Sequence, residues 1–466
     1  FPVANGSASN IVAWGRLAGF DLDQQLAFEV FSSTFILTFY EEAQPTQGAR
    51  HAITAEKKRL LQLARRTIQN SMHTNLVCFL HGAGGSGKSD IINLLIIYAK
   101  EYCQEISTPF TSQTIVITAM SGVAATIIKG CTTHKAMYLN NHTVPKEARQ
   151  LWEATRLLII DEISFASQQD IIKIERNLRT LKDDIDKHYG GLDIIFCGDL
   201  RQLHPCSSNA VSIADEHFPE FHGMINMYIE LHGMFRFQHD LQFGHILRRM
   251  RNGTVTNEDI TELNKRVVKM GDQMPDDIQY ATYRNKDRSA INIALFDTLC
   301  MRLLQERHFD ELQDCFIVLA DNIKIRNGSG VHENCDNRRE SWFWRNFTEG
   351  DISPKKFSGR MDPMLMLYPG RPMMVTLNEN VGGGIANGTR TQMHKVHLKQ
   401  GAMPKPINIG RHIEIKAIRA SQIEKITLKH IDDQMDPMYF DLQPKQHSFI
   451  ANVSQPNNDQ KCKGQK

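Results

Sequence analysis

The chain has 466 residues, of which 23% are charged and 41% are hydrophobic, and its formal net charge is +2. At roughly 150 residues per domain, this length predicts about three domains and excludes a single small module. The composition excludes a collagen-like or disordered chain, and the small net charge means that any nucleic-acid contact depends on local basic patches.

The cysteines and the apolar segments narrow the class of protein further. No two of the nine cysteines are closer than nine positions, which excludes a C-x-x-C zinc or redox pair and predicts reduced, intracellular thiols. No apolar stretch approaches the roughly 18 residues of a membrane span, so we expect no membrane partner. Because the chain begins at Phe1 rather than Met, we expect an internal fragment whose targeting signal is hidden.

Helical and strand patterns follow one another along the first half of the chain. Apolar residues at helical spacing predict helices over 24–42 and 54–70, and residues 87–102 fit a crossover helix. Short β-branched runs predict buried parallel strands at 76–80, 114–118, 157–160 and 192–197. This alternation is typical of a doubly wound α/β domain.

A second series of elements begins near Met227. Helices are predicted at 239–252 and 257–269 and a strand at 278–282, which indicates a second α/β unit. Residues 305–365 are irregular and polar. After residue 370 the pattern predicts further strands at 372–376, 394–398, 413–418 and 423–428.

Residues 82–89 fit the phosphate-loop pattern G-x-x-x-x-G-K-[ST] and lie between a predicted strand and a predicted helix. The alternative is a fortuitous glycine-rich turn, which the strand and helix context disfavours. Backbone N–H groups of such a loop surround phosphate oxygens, Lys88 reaches the β- and γ-phosphates, and the Ser89 hydroxyl binds Mg²⁺. The predicted nucleotide-binding residues are Gly82, Ala83, Gly84, Gly85, Ser86, Gly87, Lys88 and Ser89.

Two acids, Asp161 and Glu162, follow the predicted strand at 157–160. A strand that ends in acids is commonplace in isolation, but a phosphate loop upstream favours a catalytic role. We therefore predict that Asp161 holds Mg²⁺ from its outer coordination shell and that Glu162 orients the attacking water and acts as its base. From the residues alone, the chain is predicted to be a Mg²⁺-nucleotide phosphohydrolase.

Together these segments resemble the Pif family of DNA helicases, in the B branch of superfamily 1, and its relatives in Helitron-type transposons. Residues 118–125, T-A-M-S-G-V-A-A, are similar to the family element T-A-x-T-G-x-A-A, and residues 130–134, G-C-T-T-H, to G-x-T-x-H. In the family, both elements imply contacts to single-stranded DNA. Residues 198–205, G-D-L-R-Q-L-H-P, look like G-D-x-x-Q-L-x-P. Residues 371–378 and 387–389 resemble its P-V-M-x-x-x-N and N-G-T strand pair.

The resemblance adds residues to the nucleotide site. It implies that Gln202 senses the γ-phosphate and that Arg236, at the opening of a second motor domain, is an arginine finger that reaches across a cleft when ATP closes it. Residues 20–28 resemble the family's adenine-reading segment, which places the adenine contact at Gln24, although the same spacing fits any amphipathic helix start. The predicted catalytic residues are Lys88, Glu162, Gln202 and Arg236, and the predicted metal-binding residues are Ser89 and Asp161.

The resemblance also implies a fold and a function. The expected fold is an α/β P-loop NTPase with two RecA-like parallel-sheet domains and a small β-rich insertion. The expected segments are a helical lead-in (1–75), a first motor domain (76–215), the first part of a second (216–304), an irregular insert (305–367) and an incomplete β-rich segment (368–466). The expected cofactors are ATP and Mg²⁺, and the expected partners are single-stranded DNA and duplex with a 5′ overhang.

The expected activity is ATP-driven 5′ to 3′ translocation and unwinding in DNA repair, recombination or telomere maintenance, in the nucleus or the mitochondrion. One departure from the family leaves an alternative open. The T-x-H-K-x-Q-G and S-R segments that follow the N-G-T element in the family do not occur before Lys466. The alternative is a truncated or transposon-derived remnant that binds ATP and single-stranded DNA without efficient hydrolysis.

Basic residues could supply a DNA track. Residues 391–430 hold eight Lys or Arg against two Glu, and they form either a solvated strand surface or a contact for the DNA backbone. We expect Arg248, Arg249 and Arg251 to add to a salt-sensitive DNA contact. The Trp342-Phe343-Trp344 cluster either stacks on bases or anchors an irregular insert.

Two other ligand classes are disfavoured. The nineteen histidines show no H-x-x-x-H spacing, so no metal other than Mg²⁺ is expected. Residues 283–287 lack the intervening residue of the guanine-reading N-K-x-D pattern, which favours ATP over GTP.

Overall fold

The structure is a computed structural model that describes residues 10–42, 75–205, 224–267, 280–282, 285–319, 324–326, 332–334, 364–375, 385, 389–409, 413–431 and 438–444. The chain divides into two units, Phe1–Val267 with Asn378–Asn387, and Val268–Leu377 with Gly388–Lys466. The predicted helix at 54–70 and the Trp342-Phe343-Trp344 cluster lie outside the described residues. None of the described helices combines the length and apolarity needed to cross a membrane.

Within the described part of the first unit, six strands form one parallel sheet in the order β3-β2-β4-β5-β1-β6. The strands are β1 (Val77–Gly82), β2 (Ile115–Ala119), β3 (Cys131–Thr132), β4 (Leu157–Asp161), β5 (Asp193–Gly198) and β6 (Met227–Leu231). The predicted strands β1, β2, β4 and β5 are confirmed to within a residue or two at each end. This sheet confirms the α/β class.

Nine α-helices are described in the first unit. They are α1 (Ile11–Leu17), α2 (Leu22–Glu42), α3 (Lys88–Glu105), α4 (Gly122–Ile127), α5 (Thr133–Ala136), α6 (Lys146–Glu153), α7 (Gln168–Leu181), α8 (Leu241–Asn252) and α9 (Asn257–Asn264). Helix α2 packs buried aromatic residues, Phe28 and Phe35 among them, into the same cluster as α3. The predicted helical lead-in is therefore not a separate segment, because its apolar side chains complete one face of the first unit.

The alternating side chains of β1 show why these strands are apolar along their whole length. Val77 and Phe79 belong to one buried cluster, with α6 and α7, whereas Cys78 and Leu80 belong to the cluster formed with α1, α2 and α3. A strand covered on both faces has no polar side. Each fully buried large side chain contributes about 1.5–3 kcal/mol, so this double cover stabilises β1 in its place between β5 and β6.

The position of β6 corrects the predicted domain boundary. Strand β6 pairs in parallel with β1, with Cys78 opposite Met227, and α8 and α9 belong to the same unit. The chain therefore divides at 267–268 and not at 215–216. The sequence pattern could not show this, because an apolar strand followed by helices looks the same whether it extends one sheet or begins another.

The second unit is described by α10 (Asn285–Gln305), α11 (Phe309–Gln313) and strands in three sheets. One sheet has the order β10-β7-β14-β13, with β7 and β14 parallel and the other pairs antiparallel. A second, antiparallel sheet has the order β11-β12-β15-β16, and β8 pairs with β9. The strands are β7 (Phe316–Leu319), β8 (Lys324–Arg326), β9 (His332–Asn334), β10 (Met364–Leu367), β11 (Pro372–Met374), β12 (Arg390–Leu398), β13 (Lys405–Ile409), β14 (Ile413–Arg419), β15 (Ile423–His430) and β16 (Tyr439–Leu442).

Three expectations for this unit differ from what is observed. Among its described residues the sheets are mixed or antiparallel, and the parallel pairing is between β7 and β14. Because β7 and β10 share a sheet with β13 and β14, described strands of the predicted insert at 305–367 and of the β-rich segment after it belong to one sheet. Residues 280–282, predicted as the end of a strand, lie in no strand. Strands β11 and β12 pair next to the predicted N-G-T segment, with Met373 opposite Thr391, and the Val375 backbone N–H donates to the Thr389 carbonyl at 3.0 Å. The rest of the predicted pairing of 371–378 with 387–389 falls on residues outside the described part of the chain.

Candidate functional site

The carboxyl ends of three adjacent strands bring the predicted site residues together. Strands β4, β5 and β1 are neighbours, so the phosphate loop after β1, the acids after β4 and the turn after β5 meet at one edge of the sheet. They line an open cavity of about 390 Å³ that includes Gly84 through Ser89, Asp161, Glu162, Gln202 and Arg236. Chain positions more than 150 residues apart thus form one site within the first unit.

The phosphate loop turns directly into α3. Gly87 caps that helix at φ 89°, and Gly85 has φ 85°, a left-handed conformation that residues with a Cβ adopt only with strain. The ammonium of Lys88 donates hydrogen bonds to the carbonyls of Gly82 at 2.6 Å and Ala83 at 3.1 Å. Burial lowers the pKa of Lys88 below its ordinary value. The lysine is therefore held at the loop, in the place where it was predicted.

The residues of the loop fit a phosphate ligand. The Ser86 hydroxyl is buried and has no hydrogen-bond partner in the described part of the chain. A Cβ on Gly84 would crowd Nη1 of Arg236 at 3.1 Å and Nε2 of Gln202 at 3.4 Å, so hydrogen-bond donors converge on a glycine backbone. A glycine-lined concavity beside a helix N-terminus and cationic side chains suits a polyphosphate.

Asp161 and Glu162 lie on the same cavity as Ser89. Burial raises the pKa of Asp161 above its ordinary value. The Glu162 backbone N–H donates to Asp161 Oδ1 at 2.9 Å, and this hydrogen bond and the charge of Lys88 partly oppose the rise. Burial, and then the neighbouring Asp161, also raise the pKa of Glu162. Two carboxylates and a hydroxyl are oxygen ligands of the kind that Mg²⁺ prefers, so these residues fit the predicted cation.

The backbone of Glu162 is left-handed, with φ 55° and ψ 45°. A non-glycine residue in this conformation carries about 1–3 kcal/mol of strain and is typical of functional sites. The turn directs the chain into a buried 3₁₀ segment (Ile163–Phe165) immediately after the acid. Glu162 is thereby placed on the cavity instead of extending β4.

Arg236 reaches the phosphate loop from its own unit, which corrects the expectation that it crosses from a second domain. It lies in a 3₁₀ turn (Phe235–Phe237) that follows β6, and its backbone N–H donates to the carbonyl of Gly85 at 3.4 Å. Because β6 is part of the first sheet, the closing of two units is not needed to bring Arg236 to this loop. The neighbouring Phe235 is 40% exposed and lines the same cavity, a position that the sequence analysis missed.

Gln202 is held by the residue that begins its turn. Its backbone N–H donates to the Asp199 carbonyl at 2.9 Å, and its Nε2 donates to Asp199 Oδ2 at 3.4 Å. The Gln202 side chain thus lies beside Gly84, where a γ-phosphate sensor was predicted. The sensing role itself stays a prediction.

Gln24 is also beside the loop, and the structure gives it a second role. Its Oε1 accepts from the Asp21 backbone N–H at 3.2 Å and its backbone N–H donates to Asp21 Oδ1 at 2.8 Å, a reciprocal cap at the start of α2. Its Nε2 donates to the Gly87 carbonyl at 3.5 Å. Gln24 is 3% exposed, so the predicted adenine contact competes with interactions already made inside the protein.

Comparison with known proteins shows which family the first unit resembles. Residues 52–261 match the family model described as PIF1-like helicase. This part of the chain is similar to the PIF1-like helicases. ATP-dependent DNA helicase RRM3 of Saccharomyces cerevisiae is 27% identical over 288 residues, which are 58% of this chain and 37% of that protein. ATP-dependent DNA helicase PIF1 of Saccharomyces cerevisiae is 28% identical over 214 residues, 43% of this chain and 23% of that protein.

The aligned part of this Pif1-like chain spans 37% or less of these two relatives. Among solved structures, the crystal structure of the Pif1 helicase of Candida albicans is similar at a TM-score of 0.48 and 17% identity, over 84% of this chain and 79% of that one. The similarity to PIF1-like helicases therefore rests on the sequence matches.

Two threonines of the Pif1-like DNA elements are not available for a direct DNA contact. Thr118 and Thr133 are fully buried, and Thr133 Oγ1 donates to Thr118 Oγ1 at 3.1 Å, which donates to the Ile159 carbonyl at 3.0 Å. This chain of hydroxyls joins β2, β4 and α5. The exposed residues of these elements and their flanks, such as Lys129 and Lys135, are the ones that can reach a strand.

Two of the three arginines predicted to contact DNA form ion pairs with acids of the first unit of this Pif1-like chain. Arg249 forms an ion pair with Asp259 at 2.5 Å, and Arg251 forms one with Asp199 at 3.0 Å. Arg248 is exposed and contacts His245 at 3.1 Å. The sequence did not reveal these pairs because a basic cluster carries no sign of which acids the fold brings to it.

Proposed function

We propose that this chain is the motor portion of an ATP-dependent DNA helicase that uses ATP hydrolysis to move along single-stranded DNA and separate duplex. The observation that carries the proposal is the convergence of the phosphate loop, two acids, Gln202 and Arg236 on one cavity of the first unit. The family match and the relatives named as ATP-dependent DNA helicases support it.

The roles of the residues follow from their positions. Bound Mg²⁺-ATP would supply the phosphoanhydride bond and a cation that shields its charge. Lys88 and the loop N–H groups hold the phosphates, while Ser89 and Asp161 hold the cation directly or through water. Glu162, whose raised pKa makes it a better proton acceptor than an ordinary glutamate, orients the attacking water and takes its proton.

Gln202 and Arg236 would respond to the γ-phosphate, and this role is supported by the position of both side chains beside Gly84 of the loop. A guanidinium beside the transferred group stabilises the charge that develops in the transition state. In this site the arginine comes from the segment after β6, in the same unit as the phosphate loop.

Contacts to single-stranded DNA are proposed on each unit separately. In the first unit the exposed Lys129 and Lys135 lie within or beside the family elements that carry such contacts. In the second unit, β12, β15 and β16 present Lys395 and Lys429 together with an aromatic pair. The rings of His394 and Tyr439 are 4.9 Å apart, and stacking platforms of this kind accept bases without sequence preference.

Four parts of the proposal rest on family grounds alone. They are translocation in the 5′ to 3′ direction, preference for a 5′ overhang, action in repair, recombination or telomere maintenance, and a nuclear or mitochondrial location. Polarity is tested by comparing duplexes that carry a 5′ or a 3′ single-stranded overhang. Unwinding of the 3′ substrate alone would contradict the proposed direction.

The decisive experiment is single-turnover ATP hydrolysis with and without an oligonucleotide, on the wild-type chain, Glu162→Gln and Arg236→Ala. We expect DNA-stimulated turnover in the wild type and a loss of about a thousandfold or more in each variant, with ATP binding retained. Leu151→Gln, at an exposed position that does not line the cavity, is the control. A wild-type chain that binds ATP and single-stranded DNA but does not hydrolyse ATP would favour the non-catalytic remnant.

A further inference from the structure

The carboxylate of Asp199 is the most heavily bonded acid near the candidate site. It follows β5, is 2% exposed, and receives Nε of Arg251 on Oδ2 and Nη2 of Arg251 on Oδ1, each at 3.0 Å. The backbone N–H of Arg201 also donates to Oδ1, at 3.1 Å. Two parallel donors from one guanidinium fix both the position and the plane of a carboxylate.

The same carboxylate holds the side chain of Gln202. Oδ2 of Asp199, which accepts from Arg251, also accepts from Gln202 Nε2 at 3.4 Å. The Gln202 amide therefore takes its orientation from a carboxylate that the arginine immobilises. From that position it reaches Gly84 of the phosphate loop.

Arg251 is itself fixed from a third direction. Its Nη2 lies 3.1 Å from Nε2 of His81, a residue of β1, and its side chain is 16% exposed. The last turn of α8 is thus bound to the ends of β1 and β5. An arginine that binds DNA needs a guanidinium that can reach the phosphates, whereas the guanidinium of Arg251 is enclosed by His81 and Asp199.

We propose that Arg251 is a positioning residue for γ-phosphate recognition, which acts by clamping Asp199 so that Asp199 holds Gln202 against the phosphate loop. This inference rests on the proposed function, because it requires that the cavity binds a nucleoside triphosphate. Without the clamp the Asp199 carboxylate can rotate, and the Gln202 amide loses the partner that directs it toward the terminal phosphate.

The expected effect is specific to the terminal phosphate. A hydrogen bond to a charged group contributes enough that its loss weakens affinity by about 10- to 100-fold. The test measures the affinities of ADP and of a non-hydrolysable ATP analogue, with Mg²⁺, for the wild type, Arg251→Ala and Arg248→Ala. Arg248 is the matched control because it is exposed on the same helix and pairs with His245 rather than Asp199.

We expect Arg251→Ala to lose about 10- to 100-fold in affinity for the analogue and less than about twofold for ADP, while Arg248→Ala behaves as wild type. Combining Arg251→Ala with Gln202→Ala should cause no loss beyond that of Gln202→Ala alone, because both changes remove one interaction. If Arg251→Ala does not fold, Arg251→Gln, which retains most of the volume, carries the same comparison.

Equal losses for ADP and the analogue would show that Arg251 is merely structural, and additive losses in the double variant would show that it does not act through Gln202. Either result, or an unchanged analogue affinity in Arg251→Ala, overturns the inference. Failure of the proposed function looks different: a wild-type chain that binds neither nucleotide would remove the nucleotide site itself, and one that binds both without hydrolysing ATP would leave this comparison of affinities intact.

Discussion

Gly85→Ala is expected to disable the site through Arg236. Gly85 has φ 85°, and forcing a residue with a Cβ into this region costs about 1–2 kcal/mol. The added Cβ would also overlap the Cβ of Arg236, which is near backbone and therefore cannot swing away as a flexible side-chain tip would. Overpacking of this kind costs a further 1–3 kcal/mol or so, which gives a total of about 2–5 kcal/mol.

Gly253→Ala separates the two contributions. Gly253 caps α8 at φ 71°, but a Cβ there would meet nothing within 4 Å, so this variant carries the backbone strain alone. The free energies of unfolding come from urea titration and hydrolysis from single-turnover assays. We expect Gly85→Ala to be less stable than Gly253→Ala by about 1–3 kcal/mol, and to lose turnover about as severely as Arg236→Ala.

The overlap with Arg236 is tested by removing the crowded atom. In an Arg236→Gly background the Cβ at position 236 is absent, so the destabilisation caused by Gly85→Ala should fall to that of Gly253→Ala. Equal stability of Gly85→Ala and Gly253→Ala in the otherwise wild-type chain, with hydrolysis intact, would refute the placement of Arg236 over the loop.

Three other changes test separate parts of the structure. Thr118→Val breaks the buried chain of hydroxyls and should cost about 1–3 kcal/mol in urea unfolding without altering the salt dependence of DNA binding; a changed salt slope would contradict the burial of Thr118. Asp199→Asn should destabilise the fold by roughly 3 kcal/mol at neutral pH, because it leaves Arg251 without its counter-charge. The pKa of Asp199 is lower in the folded state than in the unfolded state, so the wild-type chain should lose this stabilisation as the pH falls below about 4. The difference in unfolding free energy between the wild type and Asp199→Asn should therefore shrink at low pH. A difference that does not vary with pH would refute the pairing of Asp199 with Arg251. Replacing Lys395 and Lys429 together by Ala should reduce the log–log salt slope for single-stranded DNA by about 1.4, and an unchanged slope would remove this sheet from the proposed DNA contact.

The sequence predicted the first unit well wherever local patterns determine structure. Buried parallel strands are apolar runs because both faces are covered, so β1, β2, β4 and β5 could be placed from residue types alone. The phosphate loop was equally local, because its glycines and Lys88 lie within eight consecutive residues. The adjacency of β4, β5 and β1 then brought Asp161 and the 198–205 turn to the loop.

Long-range pairing is what the sequence did not reveal. Nothing in residues 227–231 shows that β6 adds to the first sheet, because the decision depends on hydrogen bonds to β1, about 150 positions earlier. Arg251 and Arg249 were grouped with DNA-binding residues, since a row of arginines gives no indication that buried acids oppose it. The cap formed by Asp21 and Gln24 could have been predicted from their three-residue spacing, which fits a capping box.

The three acids at this edge of the sheet, Asp161, Glu162 and Asp199, differ in whether the protein itself neutralises their charge. For all three carboxyls burial disfavours the charged form, yet hydrogen bonds from His81 and Arg251 outweigh it at Asp199 and hold the pKa of that carboxyl well below its ordinary value. At Asp161 and Glu162 burial outweighs the charge of Lys88, and their pKa values are raised. The negative charge of Asp199 is thus balanced by groups of the protein, whereas a bound cation would stabilise the negative charges of Asp161 and Glu162. This difference supports a structural role for Asp199 and agrees with the proposed roles of Asp161 at the metal and Glu162 at the water.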